Sequence, residues 1–275
     1  MIAWPPLGRY SSPHRYNRHV SPNNFNAMSL PRFFHAHLPT NGCVELDAAE
    51  ARHASNVLRL AVGAPVLLFD GQGGEAQGVI SQSAKRQVQV EISLRTDTNR
   101  ELSAPLELLV ALPKGDRQKT LIDGLVQFGT TQLTPLVCTR GVAQPSGGAL
   151  ERLNRSVLES SKQCGRNRLL RIADPTSINE LIEQTPPAVA DRLSLVAHPY
   201  GPSLSLQQVL ENACIQSPVQ GARVAIGPEG GFTDAEVELL QRSGWIQIAL
   251  GPRLLRIEYA ALQIAAWWAT LTESK

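Results

Sequence analysis

Cysteine is scarce and scattered in this chain: Cys43, Cys138, Cys164 and Cys214 stand far apart, with no two in a CxxC pair. That spacing excludes a zinc knuckle and a disulfide framework, and it points to a reducing, cytoplasmic setting. Long apolar runs are missing too. The longest candidate, YAALQIAAWWATL near the C-terminus, falls short of the roughly 18 residues that cross a bilayer and contains Gln263. No membrane association is expected. Neither GxGxxG after an early strand nor GxxxxGK[ST] occurs, which argues against a dinucleotide or nucleoside triphosphate site. Charge of one sign is not in excess either. The net charge is only +2, so affinity for a polyanion has to come from local clusters.

What is present is an ordered, core-forming composition. With 275 residues, 43% hydrophobic and 18% charged, the chain can fill one large domain or two smaller ones. Residues 1–28 differ from the rest: the first 27 carry Arg9, Arg15, Arg18, His14 and His19, no acid and no apolar segment. They read as a basic, disordered tail or an upstream start before Met28, and less readily as an RNA-contacting arm.

Residues 29–95 alternate short apolar runs with turns around FDGQGG, which predicts a small β-barrel or sandwich preceded by a single helix over DAAEARHASNVLRL. Residues 96–105, TDTNRELSAP, read as a linker. From residue 106 the period changes. Strands at 106–113, 132–138, 169–173, 193–198, 223–226 and 245–250 alternate with helices at 116–129, 149–164, 177–184, 205–213 and 234–243, and a last helix runs to the end. Ser177 with Glu180 and Thr233 with Glu236 have capping-box spacing, while Gly129 and Gly244 stand where helices should stop. The fold class is therefore α/β, with a mostly parallel sheet covered on both faces. The final helix is apolar nearly all round and has to be buried, against the sheet or a second subunit.

Three irregular loops follow strands of that sheet: AHPYGP (197–202), IGPEGG (226–231) and LGPR (250–253). Ligands of open α/β sheets bind at the carboxyl ends of strands, so these loops mark one site. Proline removes N–H groups that a phosphate cradle needs, whereas stiff turns rich in glycine suit a flat heterocycle such as adenine, held edge-on by backbone groups.

IGPEGGFTDAE followed by LGPRLLRIE resembles the paired signature motifs of the bacterial 16S ribosomal RNA (uracil-N3)-methyltransferase family, in the SPOUT superfamily. LPKGDR (112–117), TPLVCTR (134–140), QCGR (163–166) and HASNVLRLAVG (53–63) are similar to further blocks of that family, so the resemblance covers the chain from about Leu30 onward. It implies a PUA-like RNA-binding barrel at 29–95 and a SPOUT domain at 106–275 with a trefoil knot that binds S-adenosylmethionine. It also implies a homodimer acting in the cytoplasm on 16S rRNA, in the assembled small ribosomal subunit. Carried over by position, the cofactor meets Ala197, His198, Pro199, Ile226, Gly227, Glu229, Gly230, Gly231, Leu250, Pro252, Leu254, Leu255 and Arg256, mostly through backbone; no metal is implied. His198 reads equally well as a solvent-facing loop residue.

Methylation at N3 of uracil needs loss of the imide proton, in-line placement and positive charge near the base. Arg256 is the expected cation, with Glu258 or Glu229 to orient it or accept the proton. Glu258 also reads simply as an acid facing a helix N-terminus. RNA is expected to meet Arg32 and Arg59 on the barrel side and Lys114, Arg117, Arg166 and Arg168 on the other, with Arg52, Lys85, Arg86 and Arg171 nearby. The target uridine would flip into the pocket. Two departures stand out: the family's Arg-Thr-Glu-Thr-Ala is here Arg256-Ile257-Glu258-Tyr259-Ala260, and an acid of another block is replaced at Gln127. They suggest one alternative, a binding-only relative; a SPOUT methyltransferase acting on a different RNA site and an unrelated α/β enzyme for a small nucleotide ligand are the others.

Overall fold

The computed structural model describes residues 30–84, 87–142, 147–183, 192–205, 208–209 and 220–273. The expected tail (1–28), Lys85, Arg86 and most of the helix expected over 205–213 lie outside the described residues.

The N-terminal region is a five-stranded sheet in the order β1-β3-β4-β5-β2, made of β1 (Arg32–Phe34), β2 (Gly42–Glu45), β3 (Pro65–Phe69), β4 (Gly74–Ala84) and β5 (Gln87–Asp97). The FDGQGG turn joins β3 to β4 as foreseen: Asp70 Oδ1 accepts from the backbone N–H of Gln72 at 2.7 Å and of Gly74 at 2.9 Å, closing the hairpin. Along β4 the period of two puts Ala76, Gly78 and Ile80 inside and Gln77 and Val79 outside. Phe33, Leu68, Ile80 and Val90 form the core together with Ala51 and Ala54.

Those two alanines come from α1 (Ala48–Arg52), capped by Asp47, and from a wider turn that continues it over His53–Val57. The helix therefore stops before Leu60, three residues short of the expected end. Arg59 follows with φ of 53°, a left-handed conformation that residues other than glycine adopt only rarely. The strand β5 also overruns its expected boundary at residue 95, reaching Asp97.

The second region is a wholly parallel sheet in the order β11-β13-β10-β12-β6-β7-β8, with β9 pairing β7 as well. Its strands are β6 (Leu106–Val110), β7 (Gln132–Val137), β8 (Arg171–Ile172), β9 (Thr176–Ser177), β10 (Leu193–Ala197), β11 (Leu204–Ser205), β12 (Ala222–Ile226) and β13 (Ile246–Ala249). The helices are α2 (Arg117–Gln127), α3 (Gly147–Cys164), α4 (Ile178–Glu183), α5 (Asp234–Arg242) and α6 (Ile257–Glu273). Alternation divides each central strand between two cores. Leu106, Leu108 and Val110 join α2, α3 and α6 on one face, while Leu109 and Ala111 join α4 and α5 on the other. Each such fully buried Leu or Val contributes about 1.5–3 kcal/mol, which explains why β6 is apolar on both faces except at Glu107, whose carboxylate accepts from Gln132 and Thr134 of β7.

Both capping boxes form. Ser177 Oγ accepts from Glu180 N while Glu180 Oε2 accepts from Ser177 N at 2.7 Å, and Thr233 and Glu236 do the same at 3.2 and 2.7 Å. Gly129 and Gly244 end their helices with φ of 76° and 83°. The last helix is buried along Ile257, Ala261, Ile264, Ala265 and Trp268, but Tyr259 and Leu271 are exposed. It approaches α2 closely because Gly124 has no side chain: a Cβ there would lie 2.1 Å from Leu262 Cδ2.

The expected linker is pinned at its middle. Arg100 pairs with Glu75 of β4 at 2.9 Å, and Glu101 pairs with Arg166 just after α3. Around them runs a polar seam between barrel and sheet: Arg32 reaches Glu75 at 3.4 Å and Asn167 Oδ1 at 2.5 Å, Lys162 pairs with Glu50, and Leu169 N donates to Gly71 O at 3.0 Å. Burial alone would raise the pKa of Glu75, but the hydrogen bond and charge of Arg100, with Asn167 and Arg32, outweigh it and hold the carboxyl below its ordinary value.

Candidate functional site

Strands β12, β10 and β13 lie side by side and end level, with Ala197 opposite Ile226 on one side and Ile248 on the other. The three loops that follow them converge on a cavity of about 370 Å³. Every residue expected to hold a cofactor lines it except Pro252. Tyr200, Phe232, Ile248, Gly251, Arg253 and Ala260 line it as well and were not foreseen. Two of these carried a readable signal: Ile248 ends β13, and Ala260 stands one helical turn beyond Arg256.

The loop after β12 is fixed from several directions. Gly231 N closes a turn on Pro228 O at 2.8 Å, and Phe232 buries its ring in the core of the α5 face. Gly227 permits this, since a Cβ there would meet the Phe232 ring at 3.0 Å. From the neighbouring loop Arg140 Nη1 donates to Gly230 O and Phe232 O at 3.1 and 3.3 Å. Glu236 receives the N–H of Thr139 at 2.8 Å; burial favours its neutral form, but the amides and hydroxyls of Thr139 and Thr233 prevail and keep the carboxyl below its usual pKa.

The loop after β10 turns His198 inward. Its backbone N–H donates to Ile248 O at 3.1 Å, its side chain is buried, and its Nδ1 has no partner among the described residues. Burial pushes the imidazole pKa down and Arg140 adds to this, while Asp234 opposes it, so His198 is neutral at neutral pH rather than a solvent-facing cation.

The expected catalytic groups separate. The Arg256 side chain is exposed at the cavity and has no hydrogen-bond or ion-pair partner among the described residues. Glu229 lines the cavity but pairs with Arg117 at 2.9 Å instead of Arg256. Glu258 is only 2% exposed in the first turn of α6, its Oε2 has no hydrogen-bond partner among the described residues, and it does not line the cavity. Of the two altered positions beside it, Ile257 lines the cavity and Tyr259 is exposed.

The expected RNA contacts also divide. Arg59, Lys114 and Arg168 are exposed. Arg117 is half-buried and engaged by Glu229. Arg32 and Arg166 differ from these: both side chains are buried in the seam, Arg166 donating to Glu101, to Thr130 O at 2.8 Å and to Val126 O at 3.3 Å. Arg166 spends its Nε, Nη1 and Nη2 on these internal acceptors.

A family model described as an RNA methyltransferase domain matches residues 100–269, and one described as an RNA methyltransferase PUA domain matches residues 46–93. The Synechocystis sp. protein named ribosomal RNA small subunit methyltransferase E is 31% identical over 231 residues, which are 84% of this chain and 74% of that one. The chain belongs to the small subunit methyltransferase E family.

The protein of the same name from Bacillus subtilis is 29% identical over 79% of this chain and 86% of its own length. Among solved structures, the methyltransferase E of Neisseria gonorrhoeae bound to S-adenosyl methionine superposes with a TM-score of 0.79 at 26% identity, covering 88% of this chain and 98% of that one. A Legionella pneumophila protein in complex with bound SAM gives the same score and coverage. The family's two parts coincide with the two regions described above, the PUA part within the five-stranded sheet and the methyltransferase part with the parallel sheet. Among the described residues no helix is long and apolar enough to cross a membrane.

Proposed function

We propose that the chain transfers the methyl group of S-adenosylmethionine to N3 of a uridine in the 16S RNA of the small ribosomal subunit, as a cytoplasmic homodimer. The observation that carries this reading is the convergence of the paired glycine-proline motifs of a methyltransferase family on one cavity at the ends of β12, β10 and β13.

The cavity suits the cofactor. Its inner wall, from Ile226, Ile248 and Leu250, is apolar, and its polar groups are mainly backbone, so an adenine can be sandwiched and read by carbonyl and amide groups. At about 370 Å³ it falls in the ordinary range for such ligands. When bound, S-adenosylmethionine supplies an electrophilic methyl on a sulfonium. The chain's own groups then prepare the acceptor. Arg256, unpaired and exposed at the cavity, favours the uracil anion and holds it in line. Glu229 is the carboxylate at the cavity, oriented by its ion pair with Arg117, and takes the imide proton directly or through water.

The strand order supports a knotted chain, because β13 lies between β10 and β11 although residues 198–203 join those two directly. Exposed Leu254, Tyr259 and Leu271, on α6 and the turn before it, support a second copy against this helix. Exposed Arg59, Lys114 and Arg168 supply salt-dependent affinity for the RNA.

The test is transfer from labelled S-adenosylmethionine to small subunits from a strain lacking the modification, with the product nucleoside identified by mass spectrometry. Appearance of 3-methyluridine is expected. A different methylated nucleoside overturns the N3 assignment, and binding of both ligands without transfer overturns the catalytic one.

A further inference from the structure

Tyr200 stands in the loop after β10, at the cavity mouth. It lines the cofactor cavity yet is 63% exposed, whereas the cavity's other phenyl ring, Phe232, is 2% exposed. An exposed aromatic side chain is usually loose, but this one is supported from beneath. The ring of buried His198 meets it edge-on, with centroids 5.6 Å apart and planes at 74°. Its carbonyl accepts from Gln247 Nε2 at 2.5 Å, and Gln247 is itself buried and held by Gln241 Nε2 at 3.0 Å. Its neighbours are Pro199 and Gly201, the latter with φ of 82°, so the backbone on both sides is confined to a turn. A planar apolar surface thus stands ready at the mouth of a cavity whose rim also carries exposed Arg253 and Arg256.

We infer that Tyr200 is the stacking platform for the nucleobase that enters the cavity, with Arg253 receiving the phosphate of the same nucleotide. The inference rests on the reading of the cavity as a methyl-transfer site on RNA. A base lifted out of a helix loses its stacked neighbours and regains them on a protein ring, which needs one face free and the other held. The other possible occupant is the adenine of the cofactor. The apolar residues behind Tyr200 offer adenine an enclosed place, and an exposed ring at the mouth is in the path of the incoming substrate instead.

The experiment compares the wild-type chain with Tyr200→Ala, Tyr200→Leu and Tyr200→Phe, measuring KM and kcat for small subunits lacking the modification, and cofactor Kd separately by calorimetry. Tyr200→Ala is expected to raise KM for subunits by roughly tenfold or more, the loss typical of one base–aromatic stack, with cofactor Kd and melting temperature unchanged. Tyr200→Phe is expected to restore KM, and Tyr200→Leu, of similar apolar area but without a π face, is not. A rise in cofactor Kd that matches the loss would place adenine on the ring and overturn the inference, as would full rescue by leucine or an unchanged KM. Arg253→Ala is expected to raise the same KM and flatten its salt dependence by about one phosphate contact. Should the wild-type chain methylate another nucleotide, the same comparison applies to that nucleotide. Should it transfer none, the affinity of the cofactor-loaded chain for subunits, read by filter retention, carries the comparison.

Discussion

Arginine does opposite work in the two polar regions of this molecule. In the seam between barrel and sheet Arg166 is 4% exposed, and its guanidinium is shared among a carboxylate and three backbone carbonyls. At the strand-end cavity Arg256 is exposed and unpaired among the described residues. Both belong to segments that resemble blocks of the same family, and side-chain type does not separate them. Partners do: a guanidinium surrounded by internal acceptors is a fastening, and one left unpaired beside a cavity is available to a ligand.

The comparison is sharpened first by removing the fastening. Arg166→Ala leaves Glu101 without its partner and takes a donor from the carbonyls of Val126, Gly129 and Thr130, and is expected to cost about 3–5 kcal/mol of stability in urea unfolding. Cofactor Kd of the folded protein should stay as it was. A loss below about 1 kcal/mol would break the contrast, because it would put Arg166 among ordinary surface charges.

Arg256→Ala should give the reverse pattern. Stability is expected to hold within about 0.5 kcal/mol, while kcat for methyl transfer falls by roughly 10²–10³, the effect of deleting one donor aimed at developing negative charge. Steady-state kinetics with parallel cofactor titration checks this, and retention of full kcat with intact cofactor binding removes Arg256 from the chemistry.

The smallest effect concerns pH. His198 has its pKa lowered by burial in the folded chain, so between that value and the unfolded value of about 6.5 the unfolded state binds more protons. Its contribution to stability is therefore complete above about pH 6.5 and declines as the pH falls toward the folded pKa. Melting curves of the wild type and His198→Gln should diverge in their pH dependence only in that acid window. Parallel curves would mean that the imidazole is not held neutral by the fold.

The cavity was largely legible in the sequence, and the seam was not. Glycine-proline turns after strands are local signals, and so are Thr233 with Glu236 and Ser177 with Glu180, each fixed within three residues. The seam joins residues 65 and 135 positions apart, as Arg166 to Glu101 and Arg32 to Asn167. Such pairs leave no period in the chain, so Arg32 and Arg166 looked like phosphate contacts. Tyr200 was missed for a related reason: its support comes from Gln247, 47 residues away. The short strands β8, β9 and β11 are set by tertiary pairing and not by propensity, and LLRIA accordingly shrank to two residues of strand.

The order β11-β13-β10 also bears on the chain's synthesis. The strand β13 follows every other strand in the sequence, yet it occupies an interior place, between two neighbours that leave the ribosome before it. A growing chain can assemble the barrel and most of the sheet as they emerge, but the slot for β13 stays vacant until residues 246–249 arrive. Ile248, Leu250 and the 253–257 turn come with that last piece, so an unfinished polypeptide has no wall for the methyl donor. The cavity is therefore among the last parts of the fold that the chain can complete, after the rest of the sheet is in place.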